Sequence, residues 1–297
     1  MKFLSIEESN SHELESLLHL AAEMKSTRGM TSNQPLAGQT WAIIFTKAST
    51  RTRVSFEVGI HELGGNVMFL SGNDIQLGRG EPIKDTARVL GRMVHGAVIR
   101  TFDQEDVEDF YSYSGIPTIN ALTDKEHPCQ ILADLLTIRE KIGTWEDKKV
   151  VFIGDGNNNM SRSWMWAAKY LSFEFVVAAP KSCLPPQDFM DHLDAPNVAL
   201  TTDPAAAAKN ADVINTDVWL SMGQEGQDEK EALFGNYQVN ENLLSHCAPN
   251  HIVLHCLPAY RGKEISEETL EAHANTIFQQ AENRLHAQKA VLATLVE

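Results

Sequence analysis

Trp41-Ala42-Ile43-Ile44-Phe45, then Thr46-Lys47-Ala48, then Ser49-Thr50-Arg51-Thr52-Arg53 and Val54-Ser55-Phe56-Glu57, is the stretch that fixes the rest of the chain. The first five residues form a short apolar run of strand length, and the last four fit the first turn of a helix. Between them, hydroxyls alternate with guanidiniums. At a strand-to-helix junction the free backbone N–H groups and the positive end of the helix dipole converge on one spot. Such a spot binds phosphate readily, and the planar guanidinium fork can donate two parallel hydrogen bonds to it. The competing reading is a helix capped by Ser49 or Thr50, with the arginines in water. Two arginines interleaved with hydroxyls at such a junction favour the anion site.

The composition sets bounds on that reading. At 297 residues and 33.0 kDa the chain is too long for one small core, so two α/β domains are expected. Hydrophobic residues make up 43%, spread evenly, which argues against disorder. No apolar run approaches a membrane span, and Met1-Lys2-Phe3-Leu4 opens no long apolar segment, so a cytoplasmic protein off the membrane is expected. Cys129, Cys183, Cys247 and Cys256 are few and far apart, which suits reduced thiols rather than a disulfide framework. The formal net charge of -15 speaks against nucleic acid as a partner. It does not exclude a small anion, because exposed charges are screened beyond about 8 Å and a local arginine cluster can dominate a cleft.

Around the opening stretch the pattern is strand, helix, strand. Leu14, Leu17, Leu18 and Ala21 share one face of a predicted helix over 11–25, and Gly29 is placed to end it. After the arginines, a helix over 54–63 stops at Gly64-Gly65, and 66–70 reads as a strand. A glycine-bearing loop, 71–80, precedes Pro82, which suits the opening of a helix to about residue 93. That loop fits a ligand cover and an ordinary connector equally. Residues 97–100 form a strand ending in Arg100, and ligands of open α/β sheets bind beyond strand carboxyl ends, so Arg100 is expected to face the crevice of Arg51. A helix over 104–113 and a strand over 118–120 lead to His127-Pro128-Cys129-Gln130, which opens a helix reaching residue 141. A histidine in that position is by itself most often a cap or surface group.

Composition changes at Gly143-Thr144-Trp145, and the pattern restarts. Strands are predicted over 149–153, 175–179, 198–201, 213–216 and 252–255, with helices between most of them. Gly154-Asp155-Gly156-Asn157-Asn158-Asn159 precedes a helix over 161–171. It invites a dinucleotide reading, but a G-x-G-x-x-G loop needs glycine at Asn159. His246, Cys247, His251, His255 and Cys256 suggest zinc, yet His255 and Cys256 are expected on opposite faces of one strand and no C-x-x-C is present, so no metal is assigned. Cys256 is either a buried inert thiol or a strand-end thiol in the crevice of the arginines. The chain closes with an apolar helix over about 278–295 carrying Glu282, Asn283 and Arg284.

Taken in order, Ser49-Thr50-Arg51-Thr52-Arg53, His127-Pro128-Cys129-Gln130, Asp217 with Ser221-Met222-Gly223, His255-Cys256-Leu257-Pro258 and Ala281-Glu282-Asn283-Arg284 resemble the aspartate/ornithine carbamoyltransferase family over essentially the whole chain. The Asp217/Ser221 and His255-Cys256 motifs are similar to those of its ornithine branch. The resemblance implies an α/β fold of two doubly wound parallel-sheet domains joined by interdomain helices. These are a carbamoyl-phosphate-binding domain, 1–142, and an ornithine-binding domain, 143–297, whose last helix crosses back to the first domain. It implies transfer of the carbamoyl group of carbamoyl phosphate to the δ-amine of L-ornithine, giving L-citrulline and phosphate, without metal or organic cofactor. It also implies a homotrimer, with Gln76 reaching a neighbour's site.

By the same likeness Ser49, Thr50, Arg51, Thr52 and Arg100 hold the phosphate, and His127 and Gln130 hold the carbamoyl group. Backbone groups of Cys256 and Leu257, together with Arg284, complete that pocket. Asn159, Asp217, Ser221 and Met222 match the ornithine contacts, and Arg100, His127 and Cys256 are the catalytic candidates. Two positions depart from the pattern: Arg162, where relatives more often carry Asn or His, and Ala48, where a polar residue is common. Rival acceptors are aspartate, putrescine and an acylated ornithine. Aspartate would need cations opposite its second carboxylate, and the Asp217–Gly223 segment offers none. A non-catalytic anion-binding subunit and a nicotinamide enzyme are the rivals of other classes.

Overall fold

The computed structural model describes residues 1–30, 33–72, 75, 80–221 and 228–296, so Gln76, Met222 and Gly223 lie outside the described residues. The chain divides into two compact units, one of residues 1–133 and 282–297, the other of 134–281. The sequence suggests a boundary at Gly143; this division falls earlier.

The first unit runs β1 (Lys2–Phe3), α1 (Ser11–Ser26), β2 (Thr40–Phe45), α2 (Thr50–Glu62), β3 (Asn66–Ser71), α3 (Ile83–Leu90), β4 (Gly96–Arg100), α4 (Gln104–Ser114) and β5 (Thr118–Leu122). It ends in the first residues of α5 (Pro128–Ile142). All strand pairs are parallel, in the order β1-β5-β4-β2-β3. β2 and β4 are buried on both faces, as parallel strands flanked by helices must be. On one face Ala42, Ile44, Ala97 and Ile99 pack with Ala87 of α3 and with Val107 and Phe110 of α4. β1 is only two residues long, too short to leave a periodic signal, and is found by its pairing with β5.

The second unit continues with β6 (Lys149–Ile153), α6 (Asn159–Leu171), β7 (Glu174–Ala178), α7 (Gln187–Leu193), β8 (Val198–Thr201), α8 (Pro204–Ala208) and β9 (Val213–Thr216). After α9 (Asp228–Glu231) and α10 (Glu241–Leu244) come β10 (Ile252–His255), α11 (Glu267–Ala272) and the start of α12 (Ala274–Thr294), whose residues from 282 onward, Arg284 among them, belong to the first unit. Its sheet is also all parallel, in the order β10-β9-β6-β7-β8. Trp164 of α6 stacks on Phe175 at 5.9 Å and meets Phe173 edge-on at 5.8 Å, which anchors α6 against β7. Two doubly wound parallel sheets are therefore present, as the family resemblance implies.

Several element ends differ from the sequence reading. α3 ends at Leu90 with Gly91 as its C-cap instead of continuing to residue 93, and glycine is required at 91 because a Cβ there would stand 2.3 Å from the Ser114 carbonyl oxygen. Pro82 caps α3 from outside rather than opening it. α6 begins at Asn159 rather than Ser161, since the Asn158 side chain caps it by accepting from Ser161 N–H at 2.9 Å. α12 starts at Ala274, earlier than the apolar run announces. All four cysteines are free thiols, and among the described residues no helix is long and apolar enough to cross a membrane.

Candidate active site

In the first sheet the chain passes from β2 to β3 on one side and then returns to β4 on the other. The reversal leaves a crevice beyond the carboxyl ends of β2 and β4, where an open α/β sheet binds its ligand. Phe45, the last residue of β2, stands in register with Arg100, the last of β4. The arginine-bearing turn and Arg100 thus leave adjacent strands at the same edge.

Ser49 caps α2. Its Oγ accepts from Thr52 N–H at 3.3 Å, and its hydroxyl donates to Thr52 Oγ1 at 2.8 Å. Thr52 Oγ1 also accepts from the Arg284 guanidinium, with both side chains buried. With both lone pairs taken, the Thr52 hydroxyl proton is left for a further acceptor. Arg51 sits in the first turn of α2, and its Nε is buried with no hydrogen-bond partner among the described residues. Thr50 is exposed at the head of the helix.

Arg53 does not join this group, contrary to the reading of two guanidiniums at the turn. It pairs with Glu57 at 2.8 Å and lies over the Phe69 ring at 3.7 Å. The cause is helical periodicity. Two residues on, the side chain is turned well round the helix, and Glu57 at i+4 shares its face.

His127 precedes α5 and is buried. Its pKa is held well below the ordinary histidine value, first by burial and then by the positive charges of Arg284 and Arg100. The ring is therefore neutral and can donate one N–H without carrying charge. Gln130, fully buried, lies in the first turn of the same helix, its N–H on the His127 carbonyl at 3.1 Å. Cys129 beside them is inert, its thiol pushed up to about 12 by burial, which Arg284 only partly offsets. Ser49, Thr52, Arg100, His127 and Arg284 are thus one locality, cationic and mostly desolvated.

The second sheet repeats the device. β6 continues to β7 on one side, and β9 lies on the other. The loop after β6 and the residue after β9 meet at that reversal. Asn158 Nδ2 donates to Asp217 Oδ2 at 3.4 Å, while Asp217 Oδ1 accepts from Val218 N–H at 2.8 Å and from the Cys256 thiol at 2.9 Å. Burial pushes the Asp217 carboxyl above its ordinary pKa, against the pull of His255, the Cys256 thiol and the Val218 N–H. Asn159 is the first residue of α6, and Ser221 is half-buried at the edge of the described segment. Arg162 turns aside, its guanidinium on Asn157 Oδ1 at 2.8 Å and over the Phe189 ring at 4.9 Å.

The glycines of this loop have a packing cause rather than a dinucleotide one. Gly154 adopts φ +146, and a Cβ on Gly156 would stand 2.7 Å from Val177 Cγ1 of β7.

Asp217, His255 and Cys256 bring ligand-type atoms within 4.8 Å of one another, which corrects the expectation that His255 and Cys256 face apart. The alternation of faces holds only inside a strand, and β10 ends at His255. The group still lacks a free histidine donor. His255 Nδ1 accepts from Leu257 N–H at 2.9 Å, which puts the ring proton on Nε2, where it meets Glu264 Oε1 at 3.1 Å. Glu264, fully buried, also accepts from Tyr260 N–H at 2.6 Å, and Leu257 is held at φ +57. The sequence reading gave no site role to Glu264 or Asn158. Glu264 sits in a loop with no periodic signal, and Asn158 is legible only as a helix cap.

The matches to known proteins agree with this layout. Residues 1–140 match the aspartate/ornithine carbamoyltransferase carbamoyl-P binding domain, and residues 146–295 match the Asp/Orn binding domain of the same family. An ornithine carbamoyltransferase of Akkermansia muciniphila is 65% identical over 297 residues, which cover 99% of this chain and 97% of that protein. The structure of the Pyrococcus furiosus ornithine carbamoyltransferase superposes with a TM-score of 0.92 at 44% identity, over 98% of this chain and 96% of that one. The anabolic ornithine carbamoyltransferase of Campylobacter jejuni does so with a TM-score of 0.92 at 42% identity, over 99% of each chain. With both domain models matched in order along the two sheets that carry these crevices, the chain belongs to the aspartate/ornithine carbamoyltransferase family.

Proposed function

We propose that this chain is an ornithine carbamoyltransferase, moving the carbamoyl group of carbamoyl phosphate to the δ-amine of L-ornithine to give L-citrulline and phosphate. The observation that carries the reading is the cluster at the first crevice, in which Arg284 is bonded to Thr52 and lies with Arg100 within electrostatic reach of a neutral, buried His127. Ser49, Thr50, Arg51, Thr52 and Arg100 bind the phosphate dianion, with Arg284 closing the pocket. His127 and Gln130 take the carbamoyl group. The backbone of Cys256 and Leu257 is assigned to the same ligand, and Gln76 to the site of a neighbouring subunit.

In the second unit Asp217 pairs with the α-ammonium of ornithine, and Asn159, Ser221 and Met222 take its remaining polar groups. A buried carboxylate, with no cation bonded to it among the described residues, suits an ammonium and rejects the second carboxylate of aspartate. Pairing one amine leaves the other to react. An alkyl amine has a pKa near 10.4, so presenting it neutral at pH 7 costs about 4–5 kcal/mol. Desolvation and neighbouring guanidinium charge both lower that pKa.

The neutral amine attacks the carbamoyl carbon, a C–N bond forms, and the C–O bond to phosphate breaks, its electron pair leaving with the phosphate. The amine gives up one proton, and Cys256, hydrogen-bonded to Asp217, is the group proposed to steer or relay it. Negative charge developing on the carbamoyl oxygen is met by Arg100, the His127 N–H and the Thr52 hydroxyl. Phosphate is already a good leaving group, so no covalent enzyme intermediate is required. The family resemblance supports a cytoplasmic homotrimer as the working form.

The test is product formation from carbamoyl phosphate with ornithine, aspartate, putrescine and N-acetylornithine offered separately. Ornithine should be preferred by at least about 10³-fold in kcat/KM, since unpaired buried polar groups discriminate strongly. A preference for any other amine would overturn the substrate assignment.

A further inference from the structure

Lys47 is a lysine where a lysine is expensive: it is only 4% exposed, in the loop between β2 and the cap residue Ser49. Its ammonium pairs with the Asp124 carboxylate and stands 4.0 Å from the centroid of the Phe102 ring. These partners come from two other loops. Phe102 lies just beyond Arg100 at the end of β4, and Asp124 lies between β5 and His127. One buried cation thus ties together the loops that carry Ser49 and Arg51, Arg100, and His127. Asp124 is itself fixed, its N–H donating to the Phe102 carbonyl at 2.8 Å.

Nothing in the proposed chemistry uses Lys47, yet a desolvated ammonium is costly unless it does something its surroundings need. We propose that Lys47 is a positioning residue, a clamp acting through Asp124 and the Phe102 face to hold the three strand-end loops in the geometry that accepts carbamoyl phosphate. This rests on the carbamoyltransferase reading. Its reach is specific: a clamp on the first crevice governs affinity for the phosphate-bearing ligand and not for the amine. An offset of about 1 Å in such a group can cost about 10²-fold, so a partly screened tie should be worth roughly tenfold.

The experiment compares Lys47→Met, Asp124→Asn, their double variant and Asp124→Glu in the full chain. It reads the KM for carbamoyl phosphate, inhibition by inorganic phosphate, the KM for ornithine, kcat and the melting temperature. Both single variants should raise the carbamoyl-phosphate KM and the phosphate inhibition constant about tenfold. The double variant should be no worse than the worse single, Asp124→Glu should restore most of the affinity, and the ornithine KM should stay within about twofold.

A native carbamoyl-phosphate KM in Asp124→Asn, with loss only in Lys47→Met, would mean that Lys47 touches the ligand itself and would sink the clamp. Additive losses, or native affinity in both variants, would sink it too. Should Lys47→Met fail to fold, Asp124→Asn decides alone, because that side chain is 56% exposed. Arg51→Ala measured alongside separates the two layers of the argument. If Arg51→Ala also keeps native affinity, the function itself is wrong; if only the clamp variants do, the clamp alone fails.

Discussion

Asp217 carries the cost of its role in its own titration. Its folded-state pKa is raised, so the folded protein holds the proton more tightly than the unfolded chain does. The stability this confers is full below the unfolded value and is lost as pH rises through the folded one, so the carboxylate, once ionised, destabilises the fold. Asp217→Asn should therefore raise the melting temperature at pH 7 while lowering kcat/KM for ornithine by about 10²-fold or more, because an ammonium loses its buried counter-charge. Thermal melts and ornithine kinetics check both halves, and a variant that melts lower would contradict the assignment of strain. The acid limb of kcat/KM for ornithine should likewise lie at higher pH than an ordinary carboxylate would give. His127 shows the opposite shift. Its pKa is lowered by burial and two guanidiniums, so as pH falls below about 6.5 the unfolded chain takes up a proton that the folded protein refuses, and stability is lost. The fall in melting temperature from about pH 7.5 to 5.5 should be smaller in His127→Gln by about 2 °C. An unchanged slope would mean that the ring is solvated.

At the scale of elements, what the sequence made legible followed local pattern. β8, β9 and β10 lie at the bounds the sequence reading expected, and the helix of Leu14, Leu17, Leu18 and Ala21 buries those four residues. What it hid was set by contacts distant in sequence. β1 exists only through β5, and the Glu264–His255 pair crosses a loop with no spacing rule. The glycine that caps α3 is required by the close approach of Ser114 from another helix. Arg53 was legible in type but not in direction, because its neighbours Glu57 and Phe69 draw it to another face. The loop after β6 gives an element-level prediction. A Cβ on Gly156 must displace Val177, Ala179 or the Cys183 carbonyl, at 2.7, 3.0 and 3.1 Å, and the loop also carries Asn158 toward Asp217. Gly156→Ala should cost about 1–3 kcal/mol of stability and raise the ornithine KM, with binding of phosphate-bearing ligands to the first unit unchanged. Denaturant melts and ligand titrations separate those effects.

For the whole molecule, one plan is used twice: a five-stranded parallel sheet whose strand order reverses, between β2 and β4 in one unit and between β6 and β9 in the other, with charged groups gathered at the reversal. The first crevice gathers cations and the second a carboxylate, so an acidic chain of net charge -15 still presents a local site for a dianion. If the proposed homotrimer forms, sedimentation equilibrium should give about three times the 33.0 kDa chain mass, and a monomer mass would contradict it. The central claim is that guanidiniums from separate strand ends act on a single phosphate. Calorimetric titration with a non-hydrolysable phosphonate analogue of carbamoyl phosphate tests it most directly, on the native chain and on Arg51→Ala and Arg100→Ala. Each substitution should weaken binding by about 10²-fold or more at unchanged melting temperature, and native affinity in either variant would contradict the claim.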